Sequence, residues 1–552
     1  MYKKRIMFCG EASYLSTGYS TFHLEILKRF HASGKYELCE LATYGDTSDP
    51  RENRWRDLPW KFIPVMPNRN KPAEIAAYKS YQLNQFGGWK FEQACLDFRP
   101  DFTVTITDPW MCSYQAKSPF RPYYHWTWMP TVDAAPMQNE WVELAMNADA
   151  VFAYSDWGLE QLKKQGGGKI KTLCSTPTGA DFEAFTVKPD KRSHRHMMGV
   201  DPNIYLIGTV MRNQKRKLYP QLGEAFASLL KELPEEIAVK TYMLWHTAHP
   251  DIGWNIAQIL KDNGIACKVY FTYHCTKCGL VFLSFFQDSK TSCPKCGQQA
   301  GQFPHTHHGI SRKVLGDLYS LMDCYVQYSV CEGLGFPAIE AAACGVPVFE
   351  TDYSAMSDVV RKLKGFPIKV KAFYKESETT RDMAIPDNDD LVKQLLDFLL
   401  IPEPIRMRMG RETRKCVEEH YNWDKIHQIW DDHFTNLEVR PHEQTWNSPL
   451  KIHKPNLNIP QGLTNDEFIR WGIINIAHAP ELLNSYQAVK MVRDLNWGAS
   501  LANTGSFSFN EESMLGIQPK TEPFDRKKAI EQMVAVCENR NKWEKIRTES
   551  KR

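Results

Sequence analysis

The sequence predicts an α/β protein built on parallel sheets, and three observations carry that expectation. Strand-length apolar runs alternate with helix-length amphipathic ones from the N-terminus to about residue 435, the rhythm of βαβ units. Several of the strand-like runs end in polar or glycine-bearing turns, and open parallel sheets bind ligands at the carboxyl ends of their strands. The stretch 329–352 places a helix between two short apolar runs, at 323–329 and 346–351, each of a length suited to a buried parallel strand. At 552 residues the chain is too long for a single core, so roughly two to four domains are expected.

Taken in order, a first strand is expected over 5–9 and a helix over 19–30, with Phe22, Ile26, Leu27 and Phe30 on one face. The loop between them contains Ser16-Thr17-Gly18-Tyr19-Ser20. It lacks the Gly-x-Gly-x-x-Gly of a dinucleotide fingerprint, and on spacing alone it is a strand-to-helix turn. A strand over 37–43, an irregular Pro- and Arg-rich stretch to about residue 70, a helix over 72–85 and a strand over 102–107 continue the alternation. That strand ends in Asp108-Pro109-Trp110, and the next, over 123–128, contains His125 and leads to Pro130-Thr131-Val132-Asp133. A helix over 141–147, a strand over 150–155 and a helix over 157–164 complete a first Rossmann-like unit, assigned residues 1–200.

A second unit, 201–436, opens with a strand over 204–210, then the basic run Met211-Arg212-Asn213-Gln214-Lys215-Arg216-Lys217 and a helix over 222–230. Such a run is most often a solvated loop and sometimes a nucleic-acid patch, but at the carboxyl end of a strand it suits a diphosphate. Strands over 239–245 and 267–271, with helices over 255–263 and 315–322, lead to the stretch 329–352. There Glu332 lies in the turn before the helix and Glu340 lies inside it after seven intervening residues. Gly333 and Gly335 let the backbone approach a ligand, Pro337 suits the first helical turn and Gly345 the stop. Free amides and the positive dipole end favour a phosphate at the helix start, and the two carboxylates can hold hydroxyls.

Glu332-Gly-Leu-Gly-Phe-Pro-Ala-Ile-Glu340, followed by Ala-Ala-Ala-Cys-Gly-Val-Pro-Val, resembles the Glu-x7-Glu signature of the retaining glycosyltransferases of family 4. The resemblance covers roughly residues 4–435 and implies the GT-B fold, two Rossmann-like domains facing a cleft. It also implies a nucleoside diphosphate sugar as donor, a UDP-sugar first among the candidates. Glu332 would contact the transferred sugar and Glu340 the ribose, while the amides of Gly333, Leu334, Gly335 and Phe336 touch the diphosphate. Arg212 and Lys217, five residues apart, are similar to the Arg and Lys that neutralise the leaving diphosphate in that family, a planar fork with a point charge. Gly18 is similar to its glycine loop beside the phosphates, and His125 to a histidine that contacts the donor sugar. A histidine between Tyr124 and Trp126 reads equally as a packed interior residue. The implied chemistry needs no metal. Asp387-Asn388-Asp389 has the Asp-x-Asp form, but it precedes the amphipathic run 391–400 and reads as a helix N-cap.

Cys275-Thr-Lys-Cys278 and Cys293-Pro-Lys-Cys296 are separated by fourteen residues, and each pair is followed by glycine, Gly279 or Gly297. They form two knuckles of a zinc ribbon inserted at 272–303. Four thiolates at this spacing make a closed, structural Zn2+ site, although the gap is a residue shorter than the usual range. The other eleven cysteines are scattered, as reduced cytosolic thiols are. His305, His307 and His308 read as a polar loop. Beyond 436, a Pro-rich linker over 439–462 precedes helices near 465–477, 480–495 and 526–547. This extension, 437–552, is expected to brace the two domains or to form an oligomer contact.

A formal charge of +3 excludes a protein that is basic overall, so any nucleic-acid contact would rest on a local patch. No run is long and apolar enough to span a membrane, and no signal peptide is read, so a cytoplasmic enzyme is expected. Lys277, Lys290 and Lys295 with Phe282, Phe285 and Phe286 in the ribbon suggest a DNA acceptor bearing hydroxymethylated bases. The alternatives are a glycan or lipid-linked acceptor, a nucleotide-sugar epimerase, or an inactive transferase scaffold that binds nucleic acid.

Overall fold

The computed structural model describes residues 2–287, 290–304, 309–479 and 525–549. His305, His307, His308 and the helix expected over 480–495 lie outside them. The first sheet consists of β1 (Lys4–Glu11), β2 (Tyr36–Thr43), β3 (Lys61–Pro64), β4 (Phe102–Thr107), β5 (His125–Pro130), β6 (Ala150–Ala153) and β7 (Thr172–Ser175). Its order is β3-β2-β1-β4-β5-β6-β7, and every neighbouring pair is parallel. β4 is buried at all six positions, as a sheet covered by helices on both faces requires. Trp126 and Trp128 stack at 5.7 Å on one side of β5, and Thr127, between them, points the other way.

The second sheet has a parallel body of β8 (Tyr205–Val210), β9 (Thr241–His246), β10 (Val269–Cys275), β14 (Cys324–Gln327), β15 (Val348–Thr351) and β16 (Phe366–Ile368), in the order β10-β9-β8-β14-β15-β16. β10 is the strand that the cysteine insert extends. β9 pairs with its first residues, whereas β11 (Val281–Phe285) runs antiparallel along its other edge and β13 (Gln299–Gln302) takes over at His274 and Cys275. β12 (Thr291–Ser292) completes the insert. The insert therefore grows out of the sheet's own hydrogen-bond ladder.

Several elements escaped the sequence pattern, β7, β16 and the helix Lys191–Met197 among them. β3 and the helix Phe91–Phe98 fall among Pro- and Arg-rich or aromatic residues with no clean period, and the helix Ala355–Lys362 follows too closely on β15 to stand out. Another is an antiparallel hairpin of β17 (Val370–Lys375) and β18 (Asp382–Pro386), whose first strand is almost wholly exposed and so carries no apolar alternation. Residue 81 is extended (φ −150°), which ends the helix Pro72–Ser80 and leaves a 3-10 turn over Gln82–Phe86 where one longer helix was expected.

The helix Trp423–Asn436 belongs by sequence to the second unit but packs on the first. Trp423 and Trp430 meet Phe22 of the helix Gly18–Ser33 at 5.3 and 6.2 Å, and Lys4 Nζ donates to the carbonyls of Phe434 and Leu437 at 2.6 and 2.7 Å. The helices Asn465–Asn475 and Arg526–Glu549 enclose a small core of Phe468, Ile469, Ile473 and Met533. The far end of the latter helix docks Trp543 at 6.2 Å from Phe120, and Leu450 N donates to Glu544 Oε2 at 2.7 Å. Among the described residues the extension thus packs on the first half and does not brace the two. No helix among them is long and apolar enough to cross a membrane.

Candidate functional site

β8 and β14 are neighbours in the second sheet, so the loops leaving their carboxyl ends lie side by side. Leu218 N donates to Tyr328 O (3.1 Å) and Val330 N to Arg216 O (3.0 Å). This zipping carries Glu332 into the basic loop. Glu332 Oε1 accepts from Lys217 Nζ, from Gln327 Nε2 at 2.9 Å and from Ser329 Oγ at 2.7 Å; Oε2 accepts from Arg216 Nη1 at 2.7 Å. Lys217 and Glu332 are both buried, and a buried charge pair is tolerated only when its remaining valences are filled in this way. Ser354 fixes the main chain of the same residue: Glu332 N donates to Ser354 Oγ at 3.0 Å, and Ser354 Oγ donates to Glu332 O at 3.2 Å. Ser354 adopts φ 54°, ψ −146° to do so, a conformation a side chain disfavours.

The turn that follows is shaped by two glycines. Gly335 caps the helix Phe336–Ala343 at φ 94°, and a methyl group on Gly333 would overlap Thr131 Cγ2 of the first half. Gly18 faces Phe336 from across the cleft: its Cβ, if it had one, would stand 3.5 Å from Phe336 Cε2. The structure thus brings Gly18, Gly333, Leu334, Gly335 and Phe336 together at a helix start whose amides are free to meet an anion. Glu340 lies on the same helix, its Oε2 accepting from Tyr319 OH at 3.0 Å. Burial raises its carboxyl to about 7 against the pull of Arg312. Beneath the turn, Glu350 is fully buried with no hydrogen-bond partner for either oxygen. Burial pushes its carboxyl well above the usual range.

On the opposing edge, the carboxyl ends of β1, β4 and β5 carry a hydrogen-bonded set with no cation. Tyr19 OH donates to Asp108 Oδ1 at 2.6 Å and contacts Thr131 Oγ1; Thr17 Oγ1 donates to Glu11 Oε2. Burial raises the carboxyls of Asp108 and Glu11; the Asp133 charge adds to the former, and Arg216 from the other half opposes it. Tyr19, Asp108 and Thr131 stood in the quoted turns without being assigned a role, because a single polar residue after a strand is too common a signal.

Two residues expected at the site stand apart from Glu332. His125 is the first residue of β5, since the 3-10 turn Arg121–Tyr123 displaces the strand two residues along. It therefore lies at the amino end of the sheet, about 16 Å from the cleft edge at ~3.3 Å per residue. There it packs edge-on against His433 and Phe102, ring centroids 5.8 and 5.7 Å apart, and burial lowers its pKa. It is an interior residue. Arg212 is not brought to Glu332; its guanidinium is bidentate to Asp251, at 3.0 and 3.1 Å, and 46% exposed. Arg216, four residues on, takes the place beside Glu332.

In the cysteine insert, Cys275 Sγ lies 3.7 Å from Cys296 Sγ and Cys278 Sγ 3.5 Å from Cys293 Sγ, with all four sulfurs within 4.8 Å of one another. A tetrahedral Zn2+ with Zn–S of about 2.3 Å needs sulfurs roughly 3.8 Å apart, so the four thiols fit the ion. Each knuckle closes with a matched turn, Gly279 N to Cys275 O and Gly297 N to Cys293 O, both 2.9 Å. The ribbon's aromatic residues are not offered for stacking. Phe285 stacks on Tyr270 at 4.6 Å, Phe282 on Tyr273 at 5.8 Å, and Phe286 packs on Phe303 at 5.8 Å. Asp387 caps the helix Asn388–Leu400 by accepting from Asp389 N at 3.0 Å, as its pattern indicated.

Residues 304–415 match the family model described as Glycosyl transferases group 1. The fold is similar to that of sucrose-phosphate synthase from Thermosynechococcus elongatus, at 17% identity and a TM-score of 0.55 over 79% of this chain and 100% of that one. It is similar to a glycosyltransferase from Rickettsia africae, at 13% and 0.54 over 81% and 100%. It is also similar to Anabaena HepE in complex with UDP and glucose, at 14% and 0.54 over 79% and 100%. No curated protein matches the chain. The two facing sheets are the GT-B arrangement, and the matched model supports a glycosyltransferase on that scaffold.

Proposed function

We propose that the chain moves a sugar from a nucleoside diphosphate sugar, a UDP-sugar first among the candidates, to a hydroxyl acceptor with the anomeric configuration kept. The observation that carries this reading is Glu332 set between Lys217 and Arg216 at the mouth of the glycine turn, with Glu340 on the helix behind it. The acceptor hydroxyl attacks the anomeric carbon on the face from which the diphosphate leaves. The carbon–oxygen bond to phosphate breaks as the new one forms, and a phosphate oxygen takes the proton. The protein's part is to hold charge where it develops. Lys217, Arg216 and the helix amides receive the leaving diphosphate, Glu332 holds the sugar and Glu340 the ribose. Arg212 can join them, since an exposed pair such as Arg212–Asp251 is worth roughly 0–1 kcal/mol and a diphosphate competes with it. Anabaena HepE, known in complex with UDP-glucose, supports the choice of donor.

A screen of nucleotide sugars by thermal unfolding tests the donor, because a ligand at a hundred times its dissociation constant adds roughly 2.7 kcal/mol. Incubation of the donor alone separates transfer from epimerisation, and the anomeric configuration of the product tests retention. Cys275, Cys278, Cys293 and Cys296 would hold Zn2+ in a structural role, stabilising the ribbon. One equivalent of zinc by elemental analysis, lost in Cys275→Ser/Cys293→Ser, is expected; full thermal stability without metal would refute that role. The acceptor is better sought among small hydroxyl compounds than in DNA, since the ribbon's phenylalanines are committed to packing within the insert and against the sheet it extends.

A further inference from the structure

A cavity of about 460 Å³ opens beside Glu332, on the side of Arg216. That volume falls within the roughly 300–1,000 Å³ of small-molecule sites. Arg216 is the shared wall, since the guanidinium that lines the cavity is the one bonded to Glu332 Oε2. The far wall is the β17–β18 hairpin, which reaches the first half: Asp382 N donates to Ala135 O at 2.8 Å and Arg381 is paired with Asp133. The cavity is therefore bounded by both halves, and Arg216 links it to the carboxylate assigned to the transferred sugar.

Its wall chemistry selects an occupant. Trp254 and Tyr374 offer aromatic surface. The two carboxylates on the wall, Asp133 and Glu376, are both engaged by Arg381 and are poorly placed to accept from a neutral polyol. Lys215 is exposed and has no partner among the described residues, and Arg216 is 41% exposed, so the charge left facing the cavity is positive. Resting on the donor reading above, we infer that this cavity is the acceptor subsite and that it takes a sugar-sized hydroxyl compound bearing an anionic group, phosphate or carboxylate, held by Lys215.

Calorimetry on the full chain, with and without UDP, tests this with glucose 6-phosphate, glucuronate and glucose as probes. The anionic probes are expected to bind at least about tenfold more tightly than glucose, a difference of about 1.4 kcal/mol. Lys215→Ala should abolish that preference while UDP affinity stays as in the parent, and Tyr374→Ala should weaken all three probes alike. Equal affinity for glucose and glucose 6-phosphate, or a preference that survives Lys215→Ala, overturns the inference. So does a loss of UDP affinity in Lys215→Ala, which would assign that lysine to the donor. Failure of UDP to bind the parent chain refutes the donor reading instead, and the probes titrated without UDP still decide the cavity.

Discussion

The carboxyl edges of the two sheets face one another across the cleft and are armed in opposite ways. On the second sheet the edge carries cations, with Lys217 and Arg216 clamped on Glu332 and Arg212 close behind in sequence, although burial pulls the Lys217 amine well below its usual range. On the first it carries hydroxyls and carboxyls whose burial favours the neutral form, the set of Tyr19, Asp108, Thr131, Thr17 and Glu11. A diphosphate can be held only where cations and free amides are, so the proposed leaving group belongs on the second edge. Cations reach the first edge from the second half: Arg381 pairs with Asp133, and the charge of Arg216 is felt by Asp108.

The largest expected effect tests that division directly. Lys217→Ala leaves Glu332 buried with Arg216, Gln327 and Ser329 as its remaining partners. It should cost about 3 kcal/mol of stability, the low end for breaking a buried pair, and about 10³-fold in turnover. Chemical denaturation and initial rates with a nucleotide sugar measure both. If Asp108→Asn proves equally damaging to the rate, the two edges share the work and the contrast is lost.

A second comparison separates the two arginines of the basic loop. Arg216→Ala should lower turnover by about 10²-fold, whereas Arg212→Ala, which removes an exposed partner of Asp251, should cost about tenfold or less. The reverse order would mean that the basic loop rearranges around the donor and that Arg212 leaves Asp251 for the phosphate.

Glu340 gives a pH signature. Its carboxyl titrates at about 7 in the folded chain against an ordinary value of 4.5. Folding disfavours the charged form, so its contribution to stability is intact below about 4.5 and is lost as pH rises to about 7. Ribose hydroxyls need the carboxylate as acceptor, so UDP-glucose affinity should rise by up to about tenfold per pH unit below 7 and level off above it. Glu340→Gln should flatten both curves. A flat affinity profile in the parent would remove Glu340 from the ribose.

The smallest effect is expected at His125. His125→Phe fills the same interior space against Phe102 and His433, so turnover should stay within about twofold and stability within about 1 kcal/mol. A hundredfold loss of rate would place a functional group at the amino end of the first sheet, which the strand direction argues against.

The two kinds of site feature were not equally visible in the sequence. Glu332, Gly333, Gly335 and Glu340 sit on one continuous turn and helix, so their spacing alone places them on one face, and the four cysteines are likewise set by two local knuckles. Arg216 could be found only as one of several cations in a basic loop, because which of them meets Glu332 depends on the pairing of β8 with β14. Tyr374 and Arg381 had no signal, since the hairpin that carries them is exposed on one strand and has no period. His125 was misplaced by a shift of two residues, enough to move a strand's first position onto a predicted middle one and to hide which end of the sheet it occupies.

By itself the sequence determined the alternation of strands and helices, the phosphate-ready helix start at Gly335 and the closed four-thiol knuckles, because each depends on neighbours within a few turns of chain. The tertiary structure alone decided which loops lie together, that Ser354 holds the main chain of Glu332 in a strained conformation, and that the hairpin reaches over to Asp133. These are contacts between residues 22 and 248 positions apart, and only the order of strands in the sheets and the docking of the two halves bring them within reach.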